Sequence, residues 1–246
     1  MIPRLQHAMR ALQMMMRAQE VTANNLANIN TPGFKADRVY FKSYMDQING
    51  AQVSAPEPYQ TLSMAQGTFE ATGNPYDFAI SGEGFFQVEF EEETFLTRNG
   101  RFTLDPDGYL KDDNGAYLQG TSGNVQIPSQ ARSENGTSEA VVEIAKDGTV
   151  RMNGEVFDRI TMVKVERVED LERRTNAYLA LTDGQEAEAV ESDVELIQGY
   201  YENGNVNPIT ELVDMTRNMQ LFESQQKVIQ TTDEILSRVT TNLGRF

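Results

Sequence analysis

Apolar side chains recur at alternating spacings of three and four toward both ends of this chain, while the stretch between them reads in short alternating runs. Helical periods at the ends and a strand period in the middle confine the fold to terminal helices around a β-rich body. Ile2, Leu5, Met9, Leu12, Met16, Gln19, Ala23 and Leu26 form one heptad-spaced row, interrupted at Gln19 and weak at Ala23. Leu212, Met215, Met219, Phe222, Gln226, Ile229, Asp233, Leu236, Thr240 and Leu243 form the other, with Leu221, Val228, Ile235 and Val239 in a second row beside it. Two apolar faces are more than one partner helix covers. In NVNPITE, Asn207 is placed to cap, Pro208 fits the first helical position and Glu211 lies near the positive end of the helix dipole. The spacing alone also fits helices that pack on their own domain.

The middle is punctuated by turn dipeptides. Short runs such as DFAI, GFFQVEF, TFLTR, VVEIA and RITMVKV are separated by Asn-Gly at 99, 114 and 153 and Asp-Gly at 107 and 147, which favour the tight turns of hairpins. DGYLKDDNGAY and DGTVRMNGEVF look like variants of one hairpin-containing unit. AQVSAPEPYQ, with two prolines and little periodicity, reads as an extended connector.

Charge follows the same division. Residues 1–40 carry +3, residues 41–204 carry −18 and residues 205–246 carry −1. A strongly acidic body repels phosphate backbones, which argues against a nucleic-acid partner, and the near-neutral ends suit contact with protein. No apolar stretch is long enough to span a membrane, and MIPRLQHAMR lacks the apolar core of a cleaved signal peptide, so neither insertion nor cleavage is expected.

The chemistry-bearing residues do not assemble into a catalytic pattern. The chain has no cysteine and one histidine, His7, which removes disulfides, thiolate metal sites and most zinc chemistry. DPDGYLKDD has a glycine at its fourth position where an EF-hand loop needs it at the sixth, so a turn is expected there and no metal. SGEG lacks the remaining glycines of a dinucleotide or nucleophile motif, and EFEEE reads as a solvated edge. Asn135-Gly136-Thr137 is a sequon short enough to arise by chance. No enzyme and no cofactor is expected.

NNLANINTPGF crowds Asn24, Asn25, Asn28 and Asn30 ahead of Thr31-Pro32-Gly33, although asparagine competes for backbone hydrogen bonds inside helices. The longer run VTANNLANINTPGFKADR resembles the N-terminal signature of the axial proteins of the bacterial flagellum. It is joined in the same order by GNPYDFAISGEGFFQVE, TFLTRNGRFTLDPDGYLKDDNGAYLQG and ENGNVNPITELVDMTRNMQLFESQQKVIQTTDEIL. The chain resembles basal-body rod proteins most. Length and closing sequence favour the proximal-rod branch, with distal-rod or hook-type relatives as the alternative. Gly204 stands where the family more often has serine.

The resemblance implies an α+β fold in which the N- and C-terminal helices pair as a coiled-coil-like inner domain around a narrow channel, with a mainly-β domain inserted between them and lying outside. The division expected is 1–35, an N-terminal assembly segment; 36–75, an extended linker; 76–204, the β-domain; and 205–246, the C-terminal helix. It also implies export through the flagellar type III apparatus without a cleaved signal, and helical stacking with other rod subunits into a periplasm-spanning shaft that transmits torque. The assembly interface is then expected at Leu5, Met9, Leu12, Met16, Asn24, Asn25, Leu26, Asn28, Asn30, Pro32, Gly33, Phe34, Asn205, Asn207, Pro208, Leu212, Met215, Met219, Phe222, Ile229 and Leu236. Amides suit such a place, since they donate and accept without stacking like charges around an axis. A periplasmic glycan-acting enzyme would need a carboxylate pair across a cleft, and an adhesin would have dispensable ends.

Overall fold

The computed structural model describes residues 2–48, 51–128, 142–152, 154–175, 177–182, 188–189 and 194–243; side chains are described outside 2–8, 41–58, 188–189, 233 and 236–243. The sequon at Asn135 and the side chains of Leu5, His7 and Leu236 lie outside these limits.

Two compact units divide the chain. The first comprises Met1–Ala27, Asp37–Thr61 and Asn207–Phe246. It holds α1 (Ile2–Ala27), the paired strands β1 (Asp37–Ile48) and β2 (Ala51–Leu62), and α2 (Pro208–Leu243). AQVSAPEPYQ, expected as a connector, is part of β2 and pairs with β1. α1 stops at Ala27, earlier than the Pro-Gly breaker required. The α2 start is as expected: the Asn207 side-chain oxygen accepts from the amides of Ile209 (3.0 Å) and Thr210 (3.2 Å), with Pro208 in the first helical position.

α1 packs against α2, but not along the expected seam. Met9 and Met16 are 55% and 53% exposed, and Leu212 and Met219 are 50% and 47% exposed. The more buried row of α2 runs Glu211, Met215, Asn218, Phe222, Gln225, Ile229, Thr232. It keeps three of the expected apolar residues and replaces the others with polar ones. On α1, Leu12 and Leu26 are half-buried, and Val21, Thr22 and Asn25 are the buried positions. The expected coiled-coil-like inner domain is therefore corrected to two packed helices and a central, mostly-β region. Glu211 gives the physical reason. Its buried carboxylate accepts from the Asn25 amide (3.3 Å) and from Arg38 (3.2 Å), so the polar edge of α2 turns inward and leaves Leu212 and Met219 in solvent.

The second unit, Asn28–Ala36 with Leu62–Val206, is β-rich. Its strands are β3 (Phe69–Ala71), β4 (Phe78–Ser81), β5 (Phe85–Phe90), β6 (Glu93–Thr97), β7 (Thr103–Leu104), β8 (Leu110–Lys111), β9 (Tyr117–Gly120) and β10 (Gly123–Asn124). They continue with β11 (Val142–Ile144), β12 (Thr149–Met152), β13 (Glu155–Arg159), β14 (Met162–Lys164), β15 (Leu171–Arg173), β16 (Leu179–Leu181), β17 (Glu188–Ala189), β18 (Glu195–Gln198) and β19 (Tyr200–Glu202). The main sheet runs β15-β16-β6-β5-β9-β8-β7, with β10 on β9 and β14 joining β5 to β17. Three smaller sheets are β11-β12-β13, β4-β18 and β3-β19, each with antiparallel pairing. Phe102 packs between Phe78 (5.9 Å) and Phe86 (5.8 Å) in the core.

Asn153 lies outside the described residues; at the other four dipeptides the chain turns as expected, with one exception. Asp105 Oδ1 accepts from the amides of Asp107 and Tyr109, and Asp112 Oδ1 accepts from those of Asn114 and Ala116. Each aspartate thus satisfies the amides that its turn leaves open. Asn99-Gly100 is different, because it makes a close backbone approach and not a hairpin. A Cβ on Gly100 would lie 1.6 Å from the Phe78 carbonyl oxygen, which only glycine avoids.

Candidate functional site

Each unit holds one tightly specified cluster around the residues singled out by sequence. In the helical unit, Asn25 makes a two-way bridge to the backbone of one residue, Asp37. Its Nδ2 donates to the Asp37 carbonyl and its Oδ1 accepts from the Asp37 amide, both at 2.9 Å. The amide thus substitutes for a strand partner at the start of β1, which explains why a buried α1 position needs asparagine and not an apolar residue. The same Nδ2 reaches Glu211, which Arg38 closes from the other side.

In the β-rich unit the TPGF turn is locked down. Gly33 has a φ of +68°, its amide donates to the Glu202 carbonyl (2.7 Å), and a Cβ there would lie 2.1 Å from the Arg98 carbonyl carbon. The Phe34 ring lies under the Arg173 guanidinium at 4.4 Å. Asn205 Nδ2 donates to the Ser63 and Ala65 carbonyls, each at 2.8 Å, while its Oδ1 accepts from the Ala36 amide (2.7 Å). Beneath them a fully buried carboxylate, Glu202, bridges Lys35 (2.7 Å) and Arg98 (3.1 Å). Lys35 Nζ also donates to the Ala65 carbonyl, and Arg98 donates to those of Ile80 and Gly82. Burial lowers the pKa of Lys35, opposed by the adjacent Glu202, and burial likewise lowers that of Arg98.

The expected site residues separate accordingly. Asn25 and Asn28 are buried, Phe34 is buried, Asn24, Pro32, Gly33 and Asn205 are half-buried, and Asn30, Asn207 and Pro208 are exposed. Asn28 Oδ1 accepts from the Thr31 hydroxyl (3.2 Å). The rows Met9–Met16 and Leu221–Val228–Ile235 share one property: large apolar side chains left in solvent. The Lys35–Glu202–Arg98 triad was not anticipated. Nothing local in the sequence joins Lys35 to a residue 167 positions away, although a lysine directly after a breaker and a phenylalanine was a hint. Among the described residues no group of three or more His, Asp or Glu is arranged to hold a metal ion, and no helix is long and apolar enough to cross a membrane.

Three family models match the chain. One described as "Flagella basal body rod protein" matches residues 5–35, the hook-protein FlgE/F/G D1 domain matches 79–152, and the rod FlgEFG protein C-terminal model matches 197–243. A flagellar basal-body rod protein FlgF of Mesorhizobium japonicum is 30% identical over 96% of both chains. The chain belongs to the flagellar basal-body rod protein family. The FlgF of Salmonella typhimurium is 30% identical over 92% of each chain, and the FlgG of Bacillus subtilis 29% identical over 92% of this chain and 93% of its own. This rod-family chain is a structural subunit of the basal-body rod and not an enzyme. The first family match ends on Lys35, so it takes in both Asn25 and the TPGF turn.

Proposed function

We propose that this rod subunit is built into the flagellum through its terminal helices, with copies and neighbouring rod proteins stacking helically across the periplasm into a shaft that carries torque from motor to hook. Residues 1–35 and 205–246 are the assembly segments of this reading and 76–204 its outer body. The interface is formed by the Met9, Met16, Leu212, Met219, Leu221, Val228 and Ile235 side chains together with the exposed Asn30 amide. The observation that carries it is the exposure of those apolar side chains on helices already packed together: burying them in neighbours supplies the free energy of assembly. Export proceeds through the flagellar type III apparatus on uncleaved N-terminal information, and the proximal rod is the position favoured. Cryo-electron microscopy of isolated basal bodies tests this by locating the chain. Density for it in the proximal rod is the expected result, and density beyond the distal end of the rod overturns the reading.

A further inference from the structure

The helical unit carries a groove of about 290 Å³ where α1, the start of β1 and the first turns of α2 meet. Its floor is closed by the Asn25, Asp37 and Glu211 cluster, with Glu211 neutralised by Arg38. Its rim is different. Asp214, half-buried on α2, makes no hydrogen bond or ion pair among the described residues, although Arg217 lines the same groove three residues on. Asn218 stands beside it half-buried, and Leu221 leaves an apolar edge exposed. The groove therefore presents one carboxylate without a bonded partner, with the Arg217 guanidinium on the same rim, one amide and one apolar lip.

A side chain with the complementary chemistry lies on α1 of the same sequence. The first nineteen residues hold arginines at 4, 10 and 17 and no acidic residue. Arg17 is already bonded to Glu20 and Gln60, whereas Arg10 is exposed and unpaired among the described residues, next to the exposed Met9. Arg10 lies eight residues before Ala18, the nearest α1 residue of the groove, or about 12 Å along the axis at 1.5 Å per residue. It does not reach its own groove.

We propose that the groove receives Arg10 of a second copy of this chain, with Asp214 accepting the guanidinium and the second copy's Met9 covering Leu221. This rests on the rod-subunit reading and names a contact within it. Guanidinium suits the site because its planar donors match a carboxylate and an adjacent amide oxygen together. The two patches are different surfaces of one molecule, so the contact need not be reciprocated, and in the helical rod of the proposed function it is heterologous. A heterologous contact whose rotation does not close a ring repeats from copy to copy along an open helix.

The test is a charge exchange in the full-length chain, read as the amount recovered in purified basal bodies, with thermal unfolding of each soluble variant as a folding control. Arg10→Glu and Asp214→Lys each lower recovery by about fivefold, the effect of roughly 1 kcal/mol per contact. The double variant restores it. Restoration separates the contact from an export defect, because the double variant retains the glutamate at position 10. Single variants recovered at wild-type levels, or a double variant as poor as either single, overturn the proposal while leaving the rod-subunit reading in place. Wild-type chain absent from basal bodies overturns both.

Discussion

Glu202 carries two cations out of water, and removing it exposes how much they depend on it. Glu202→Gln leaves Lys35 and Arg98 buried without a counter-charge, which costs about 3–5 kcal/mol. Lys35→Met leaves the Glu202–Arg98 pair in place and is the milder change. Denaturant unfolding of the two variants checks the order, and an equal or reversed order means that the triad is not organised around the carboxylate. Tyr178 gives a pH-dependent counterpart. Its hydroxyl donates to Asp112 Oδ2 (2.7 Å), its ring stacks on Phe95, and burial followed by the Asp112 carboxylate raises its pKa above 10. A raised folded-state value contributes stability that is fully present below the unfolded pKa and is lost as pH climbs through the folded one. Tyr178→Phe therefore costs about 1–2 kcal/mol at neutral pH. The gap to wild type narrows above pH 10, and a gap independent of pH refutes the assignment.

Among the elements, the β5–β6 hairpin carries a local cost in its turn. Phe90 pairs with Glu93, so Glu91 and Glu92 form a two-residue turn, with φ of 53° and 66°. Positive φ at both positions is where asparagine and glycine belong, and two glutamates there are strained. Replacing Glu91-Glu92 with Asn-Gly stabilises the β-rich unit by about 1–2 kcal/mol, measured as a rise in melting temperature; an unchanged or lowered value contradicts the strain. The sequence did not reveal this turn, because EFEEE carries none of the residues that announce one. It did reveal the turns at Asp107-Gly108 and Asn114-Gly115, where a preceding aspartate and a glycine act together. The α2 start was legible for the same reason, since cap, proline and acid all lie within five residues. The face that α2 turns inward was not legible. Apolar spacing placed Leu212 and Met219 inside, while a hydrogen bond from Asn25, 186 residues before Glu211, rotates the helix away from them.

At the scale of the whole molecule, the two units differ in what holds them. The β-rich unit has a buried aromatic core, whereas the helical unit buries polar residues and leaves its best apolar ones outside. In dilute protein, amide exchange is expected to be faster in α1 and α2 than in β4, β5 and β18, and to slow in the helices when the chain is assembled. Equal protection of helices and sheet in a verified monomer would show a self-sufficient helical unit. The triad also bears on the order in which the chain folds. Lys35 finds Glu202, and Asn25 finds Glu211, only after most of the polypeptide has been made or has emerged from any narrow conduit. Contacts that join distant positions must wait for loop closure. The anchoring of the TPGF turn is therefore withheld until late, and a chain threaded end-first stays pliable at its leading edge until its far end arrives.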